Sequence, residues 1–254
     1  MIKGTIILAL AAFIARFLGL FQRVPLKHLL EDSGMATYGI SYNIYYILLI
    51  IATAGIPSAL SKLISERMAL GELNEAKRMF HAATLFAIVG GVVMMLVLYV
   101  FAPFYAVNIA RVPDSALAIR ALAPALLVFP LIAIMRGYFQ GRQTMMAGAL
   151  SQIVEQILRV ITAVGLAYLL LYWGYGHKWA VAGASFGGVA GSVGALAVML
   201  YFWRKLKRSE KSRDLLASSL ETNAKSVTPS LSYKQSYALL FKLSIPISLV
   251  AMAV

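Results

Sequence analysis

The chain has 254 residues, 61% of them hydrophobic and 13% charged, with a mean hydropathy of +0.80. A water-soluble domain of this size is about half apolar and about a quarter charged, so composition excludes one. There is no cysteine, which removes disulfide and thiol chemistry, and the formal charge of +13 is read from where the basic residues fall.

A helix crossing a hydrocarbon core of about 30 Å needs about 20 predominantly apolar residues. In chain order such runs occur at Thr5–Phe21, Tyr38–Leu60, Ala82–Ala102, Ala116–Met135, Ala147–Trp173 and Trp179–Trp203. The predicted fold is therefore all-α, a polytopic membrane bundle with a six-helix unit over residues 1–203. Reading the first run as a signal peptide cleaved near Ala9-Leu10-Ala11 is disfavoured, because the apolar stretch continues past that site and only Lys3 precedes it.

Loop charges set the predicted orientation. One side receives Lys3, then Lys62, Arg67, Lys77 and Arg78, then Arg136 and Arg142, and then every basic residue from Arg204 to Lys234. The other side receives Arg23, Lys27, Arg111 and Lys178. The positive-inside bias puts the N-terminus and the segment after the sixth helix in the cytoplasm of a multi-pass protein of the bacterial cytoplasmic membrane. The basic excess is thus a topology signal and an attraction to anionic headgroups of the bilayer, with no nucleic-acid partner implied.

Residues 204–237 are basic and serine-rich without a sustained apolar period, and read as a flexible cytoplasmic linker. Residues 238–254 resume an apolar run, interrupted by Lys242 and Pro246, and read as the start of a seventh helix. Six helices return the chain to its starting side, so a second six-helix unit would begin in the same orientation. That is the layout of a parallel-repeat transporter, with a C-terminal lobe as the missing partner.

Polar groups inside the spans are the functional candidates, since a charge at a helix centre costs about 2.5–3.5 kcal/mol unless it faces protein or water. In the first helix Thr5, Ala9, Ala12, Arg16, Gly19 and Arg23 form one stripe of small or cationic residues. Arg16 either lines a polar cavity or bonds the carbonyls of a neighbouring helix. The second helix carries Ser41, Tyr42, Asn43, Tyr45 and Tyr46, a polar cluster or an interfacial tyrosine belt. In the fourth helix Pro124 and Pro130 would bend the run and free carbonyls.

The fifth helix places Gln152, Glu155, Gln156, Arg159 and Thr162 on one face. Glu155 and Arg159 are four apart and either neutralise each other or belong to a wet interior surface. In the sixth, Gly183, Gly187 and Gly191 form a tandem small-residue pattern for close helix packing. His28, His81 and His177 lie far apart, so no metal site, cofactor or enzymatic constellation is predicted.

Several ordered blocks resemble a known family: Gly19-Leu20-Phe21-Gln22-Arg23-Val24-Pro25-Leu26, Tyr38-Gly39, Gly55-Ile56-Pro57-Ser58-Ala59-Leu60-Ser61-Lys62, Arg136-Gly137-Tyr138-Phe139-Gln140-Gly141, and Ser151 through Arg159. They are similar to the stage V sporulation protein B-like polysaccharide transporters. These belong to the multidrug/oligosaccharidyl-lipid/polysaccharide (MOP) exporter superfamily, which includes the MurJ-type lipid II flippases. Ala147-Gly148 departs from the Pro-Thr of the family pattern.

The resemblance implies one lobe of a two-lobed MATE-like transporter with a central cationic cavity. The implied cargo is a polyprenyl-diphosphate-linked oligosaccharide such as lipid II, moved by alternating access. Arg16, Arg23, Asn43, Gln152, Glu155 and Arg159 are the predicted substrate-binding residues. The rival readings are a cation-coupled multidrug antiporter and a non-transporting scaffold for envelope synthesis.

Overall fold

The computed structural model describes residues 2–53 and 55–220; the side chains of residues 2, 3, 5 and 213–220, Thr5 of the predicted stripe among them, lie outside that description. Every regular element among the described residues is helical. Five segments are long and apolar enough to cross a membrane: Ile6–Ala69, Leu73–Ile109, Ser115–Gly141, Met145–Tyr172 and His177–Ser212.

The first segment holds 64 residues, about 96 Å if straight and about three times a hydrocarbon core. It is not straight. Helix α1 (Ile2–Thr53) is interrupted at Glu31, whose φ of 58° and ψ of −175° are non-helical. The Gln22 amide nitrogen donates to the Tyr38 hydroxyl at 3.2 Å. Sixteen residues of continuous helix would hold these two about 24 Å apart, so the chain turns back at Glu31. The two arms, residues 2–30 and 32–53, lie antiparallel, with Leu26 and Leu30 buried against Tyr38 and Met35 at the turn.

The second predicted helix is broken where Gly55, in the left-handed region at φ 69°, precedes Pro57 in the first turn of α2 (Ile56–Ala69). Glycine tolerates that φ, and proline at a helix start sacrifices no hydrogen bond. α3 (Leu73–Phe104) begins nine residues before the predicted run, because Ala76, Met79 and Phe80 of its first turns are buried in the bundle. A π-helical turn, Tyr105–Ile109, extends it.

The fourth predicted helix is two pieces, α4 (Ser115–Leu122) and α5 (Ala125–Gly141), parted at Ala123-Pro124. Pro130 inside α5 cannot donate to the Leu126 carbonyl. Gly91 of α3 lies against that carbonyl, so a Cβ there would stand 2.9 Å from its oxygen. α6 (Met145–Tyr172) keeps its predicted limits within two residues.

α7 (His177–Leu220) corrects the linker reading over residues 204–220, which continue the helix instead of leaving it. Composition hid this, because the extension is held by tertiary contacts: Glu210 bonds Lys77 and Arg142, and Lys207 lies 5.3 Å over the Trp203 ring. The rest of the predicted linker and the predicted seventh helix lie outside the described residues.

α6 and α7 pack along the glycine stripe. A Cβ on Gly187 would meet the Arg159 carbonyl at 2.8 Å, and one on Gly191 the Glu155 carbonyl at 2.6 Å. This close approach brings α7 directly behind the charged residues of α6.

A candidate cargo-binding cavity lined by arginines

A cavity of about 790 Å³ opens between the two arms of α1 and the middle of α6. The first arm contributes Arg16, Gly19, Gln22 and Arg23; the second contributes Tyr38, Tyr42, Asn43 and Tyr46; α6 contributes Gln156 and Arg159. The hairpin at Glu31 is what makes this wall, since it folds Asn43 and Tyr46 back beside Gly19 and Arg16. The arms touch α6 where Gly19 leaves room for Gln156, whose amide nitrogen would stand 3.0 Å from any Cβ at that position.

Arg16 lies about halfway along an arm that is about 43 Å long. Its side chain is exposed to the cavity and makes no hydrogen bond or ion pair among the described residues, and the same is true of Arg23. No backbone carbonyl accepts from Arg16, which removes the carbonyl-bonding alternative. The stripe of small and cationic residues is only part of the wall, since Leu20 and Leu26 line it too.

Behind the wall the expected pairing of Glu155 with Arg159 is incomplete. Glu155 accepts from Arg159 at 2.6 Å through one oxygen and from Arg136 at 2.8 Å through the other. The Arg136 Nε also donates to the Ser151 hydroxyl at 2.8 Å. All three charged side chains are nearly buried, at 14%, 9% and 14% exposure for Arg136, Glu155 and Arg159. One carboxylate between two guanidiniums leaves a net positive charge in a poorly solvated place, which an anion on the cavity side would compensate. The Arg159 Nε is buried without a partner, as is the Tyr42 hydroxyl, and both residues line the cavity.

Of the six predicted residues, Arg16, Arg23, Asn43 and Arg159 line one cavity. Gln152 and Glu155 do not. Glu155 stands behind Arg159 and holds it, and Gln152 has a buried amide oxygen without a partner. Helical spacing put all of them on one broad face, but the face is wide enough that its far edge turns into the bundle.

Three features escaped the sequence. Arg136 was assigned to a loop, and nothing local links it to a carboxylate nineteen positions away. Gln22 was passed over, although it is a buried polar residue in an apolar run. The tyrosines read as an interfacial belt form a ladder into the cavity, with Tyr38 and Tyr42 ring centroids 4.6 Å apart and Tyr42 and Tyr46 6.1 Å apart. Tyr45 instead packs in the core.

An all-helical membrane bundle with a cationic cavity at its face is the class this geometry defines, and its backbone is that of known transporters. It resembles a MOP superfamily transporter from Pyrococcus furiosus with a TM-score of 0.70 at 14% identity, covering 97% of this chain and 52% of that one. A MATE structure in complex with MaD3S gives 0.67 at 15%, with 97% and 53% covered. These likenesses fix the fold.

The polysaccharide biosynthesis protein family model matches residues 1–252, and the chain belongs to that family. Among curated relatives from Bacillus subtilis, it is 33% identical over 263 aligned positions to the lipid II flippase MurJ, covering 100% of this chain and 47% of that protein. It is 27% identical over 231 positions to stage V sporulation protein B, covering 91% and 44%. The chain thus spans about half the length of these relatives.

Proposed function

We propose that residues 1–203 form the six-span N-terminal lobe of a flippase that moves a polyprenyl-diphosphate-linked saccharide, such as lipid II or another cell-wall precursor, across the cytoplasmic membrane. A C-terminal lobe of the same protein completes the cavity, and alternating access carries the headgroup between the two sides. The two arms of α1 count as separate crossings, which with the four later segments makes six. The loop charges favour a cytoplasmic N-terminus.

The observation that carries this reading is a wall with three arginines and no carboxylate. A diphosphate leaving bulk water needs compensating positive charge, and guanidiniums supply it through paired, charge-assisted hydrogen bonds. Arg16 and Arg23 are free to do so, while Arg159 is pre-oriented by Glu155. A multidrug antiporter taking organic cations would place acids or bare aromatic surface here, and guanidiniums repel such cargo. MurJ being a lipid II flippase supports the cargo class without fixing the glycan.

The test is reconstitution of the full-length gene product in liposomes with a fluorescent lipid-linked disaccharide. Arg16→Ala is expected to lower transport about a hundredfold, corresponding to about 2.7 kcal/mol, while accumulation in the membrane stays near normal. Arg16→Lys is expected to retain part of the rate, since an ammonium pairs with phosphate without the guanidinium fork. Transport at the parent rate in Arg16→Ala would refute the assignment.

A further inference from the structure

A second polar cavity, of about 520 Å³, opens near the start of the same arm of α1. Gly4 belongs to it and Ala15 to the arginine-lined cavity; the eleven-residue rise between them is about 17 Å. One wall is α2, where Ser58, Ser61 and Ser65 recur at helical spacing with Lys62 and Glu66 beside them. The opposite face of α2 buries Ile56, Ala59, Leu60, Leu63 and Ile64.

The other wall carries Gln140 and Gln143, set close to α2 by two glycines. A Cβ on Gly137 would stand 2.5 Å from the Pro57 carbonyl oxygen, and one on Gly141 2.7 Å from that of Ser61. α5 therefore rests backbone to backbone on α2, which holds Gln140 beside the serines. Gln143 has a φ of 58° at the end of α5, where the Thr144 N–H donates to the Phe139 carbonyl at 2.8 Å. That helix-ending position favours glycine, so a glutamine side chain is held there at a conformational cost.

None of these polar side chains has a hydrogen-bond or ion-pair partner among the described residues. Lys62 and Glu66 cancel in charge, whereas the first cavity is cationic. Hydroxyls that donate and accept, primary amides that do both, and one charge of each sign suit a neutral, hydroxyl- and amide-rich occupant and give no preference for phosphate.

We infer that this cavity binds the saccharide of the cargo, separately from the diphosphate held among the arginines. The inference rests on the flippase reading for its cargo. Both cavities open on one arm of α1, so the two parts of the headgroup are bound along one helix.

With no native cysteine in the chain, Ser61→Cys in the full-length gene product gives a thiol in this wall, reported by alkylation with a neutral maleimide. Free N,N′-diacetylchitobiose at about 50 mM is expected to slow alkylation about tenfold, as a ligand filling about nine-tenths of the sites does, and inorganic diphosphate to leave it unchanged. Adding Gln143→Gly relieves the backbone while removing the amide; it is expected to keep or raise the melting temperature and abolish the protection. No protection by the disaccharide, equal protection by diphosphate, or full protection in the Gln143→Gly background would each overturn the site. Protection is read without transport, so this site fails or stands apart from the flippase reading, which fails if the parent moves no lipid-linked disaccharide.

Discussion

Glu155 lies between Arg136 and Arg159 at 2.8 and 2.6 Å, and Glu210 lies between Lys77 and Arg142 at 2.8 and 2.5 Å. Each group carries one negative and two positive charges. At Glu155 all three side chains are nearly buried, and Arg159 turns an unpartnered Nε toward a cavity it lines. At Glu210 the free capacity is used up within the fold. Arg142 also donates to the Tyr138 hydroxyl at 2.8 Å and lies 5.4 Å over its ring, and Lys77 is 35% exposed. The same charge count thus yields a cationic wall in one place and a closed clamp in the other; burial and the remaining partners decide which.

The largest expected effect comes from breaking the inner group. Glu155→Ala leaves Arg136 and Arg159 facing each other, nearly buried and uncompensated. Removing one partner of a buried ion pair costs about 3–5 kcal/mol, so the variant is expected to melt far below the parent in detergent and to accumulate poorly. Unfolding coincident with the parent would show that solvent reaches these arginines, and the contrast between the two groups would vanish.

An intermediate effect sharpens the same contrast from behind. Gly187→Ala places a methyl 2.8 Å from the Arg159 carbonyl and 2.7 Å from the Ala163 Cβ, so α7 must move away from α6. Overpacking of this kind costs about 1–3 kcal/mol. Transport is expected to fall as well, because the displaced segment carries Arg159. Gly165→Ala is the control: nothing lies within 4 Å of its added Cβ, and replacing a mid-helix glycine by alanine stabilises by up to about 1 kcal/mol. Equal melting temperatures for the two variants would mean that the α6–α7 contact is not tight.

Much of this was readable in the residues. Apolar runs located the spans because hydrocarbon imposes a length, and the glycine repeat in α7 announced a close contact because only a missing side chain permits one. Arg16 was readable because a cation at mid-span has few uses. What was not readable depended on partners distant in the chain. The reach of Arg136 to Glu155, and the docking of residues 204–220 through Glu210, leave no periodic trace. The hairpin at Glu31 was implied by two runs separated by polar residues, yet its consequence, tyrosines folded inward instead of lying at an interface, needed the geometry of both arms.

The smallest expected effect belongs to the clamp. Glu210→Gln removes the charge but keeps an amide that accepts from Arg142 or Lys77. With Lys77 a third exposed, solvent and salt screen the lost attraction. The cost is expected near about 1 kcal/mol, the upper part of the range for exposed pairs, seen as a small drop in melting temperature that shrinks as salt is raised. Transport is expected to stay at the parent rate, because the clamp fastens α7 to the ends of α3 and α5 and offers the cavity no charge. Lys77→Met together with Glu210→Gln should cost little more than Glu210→Gln alone, since both remove the same contact. A Glu210→Gln variant that melts with the parent yet no longer transports would place the clamp among the moving parts, and the division between a working group and a fastening one would have to be redrawn.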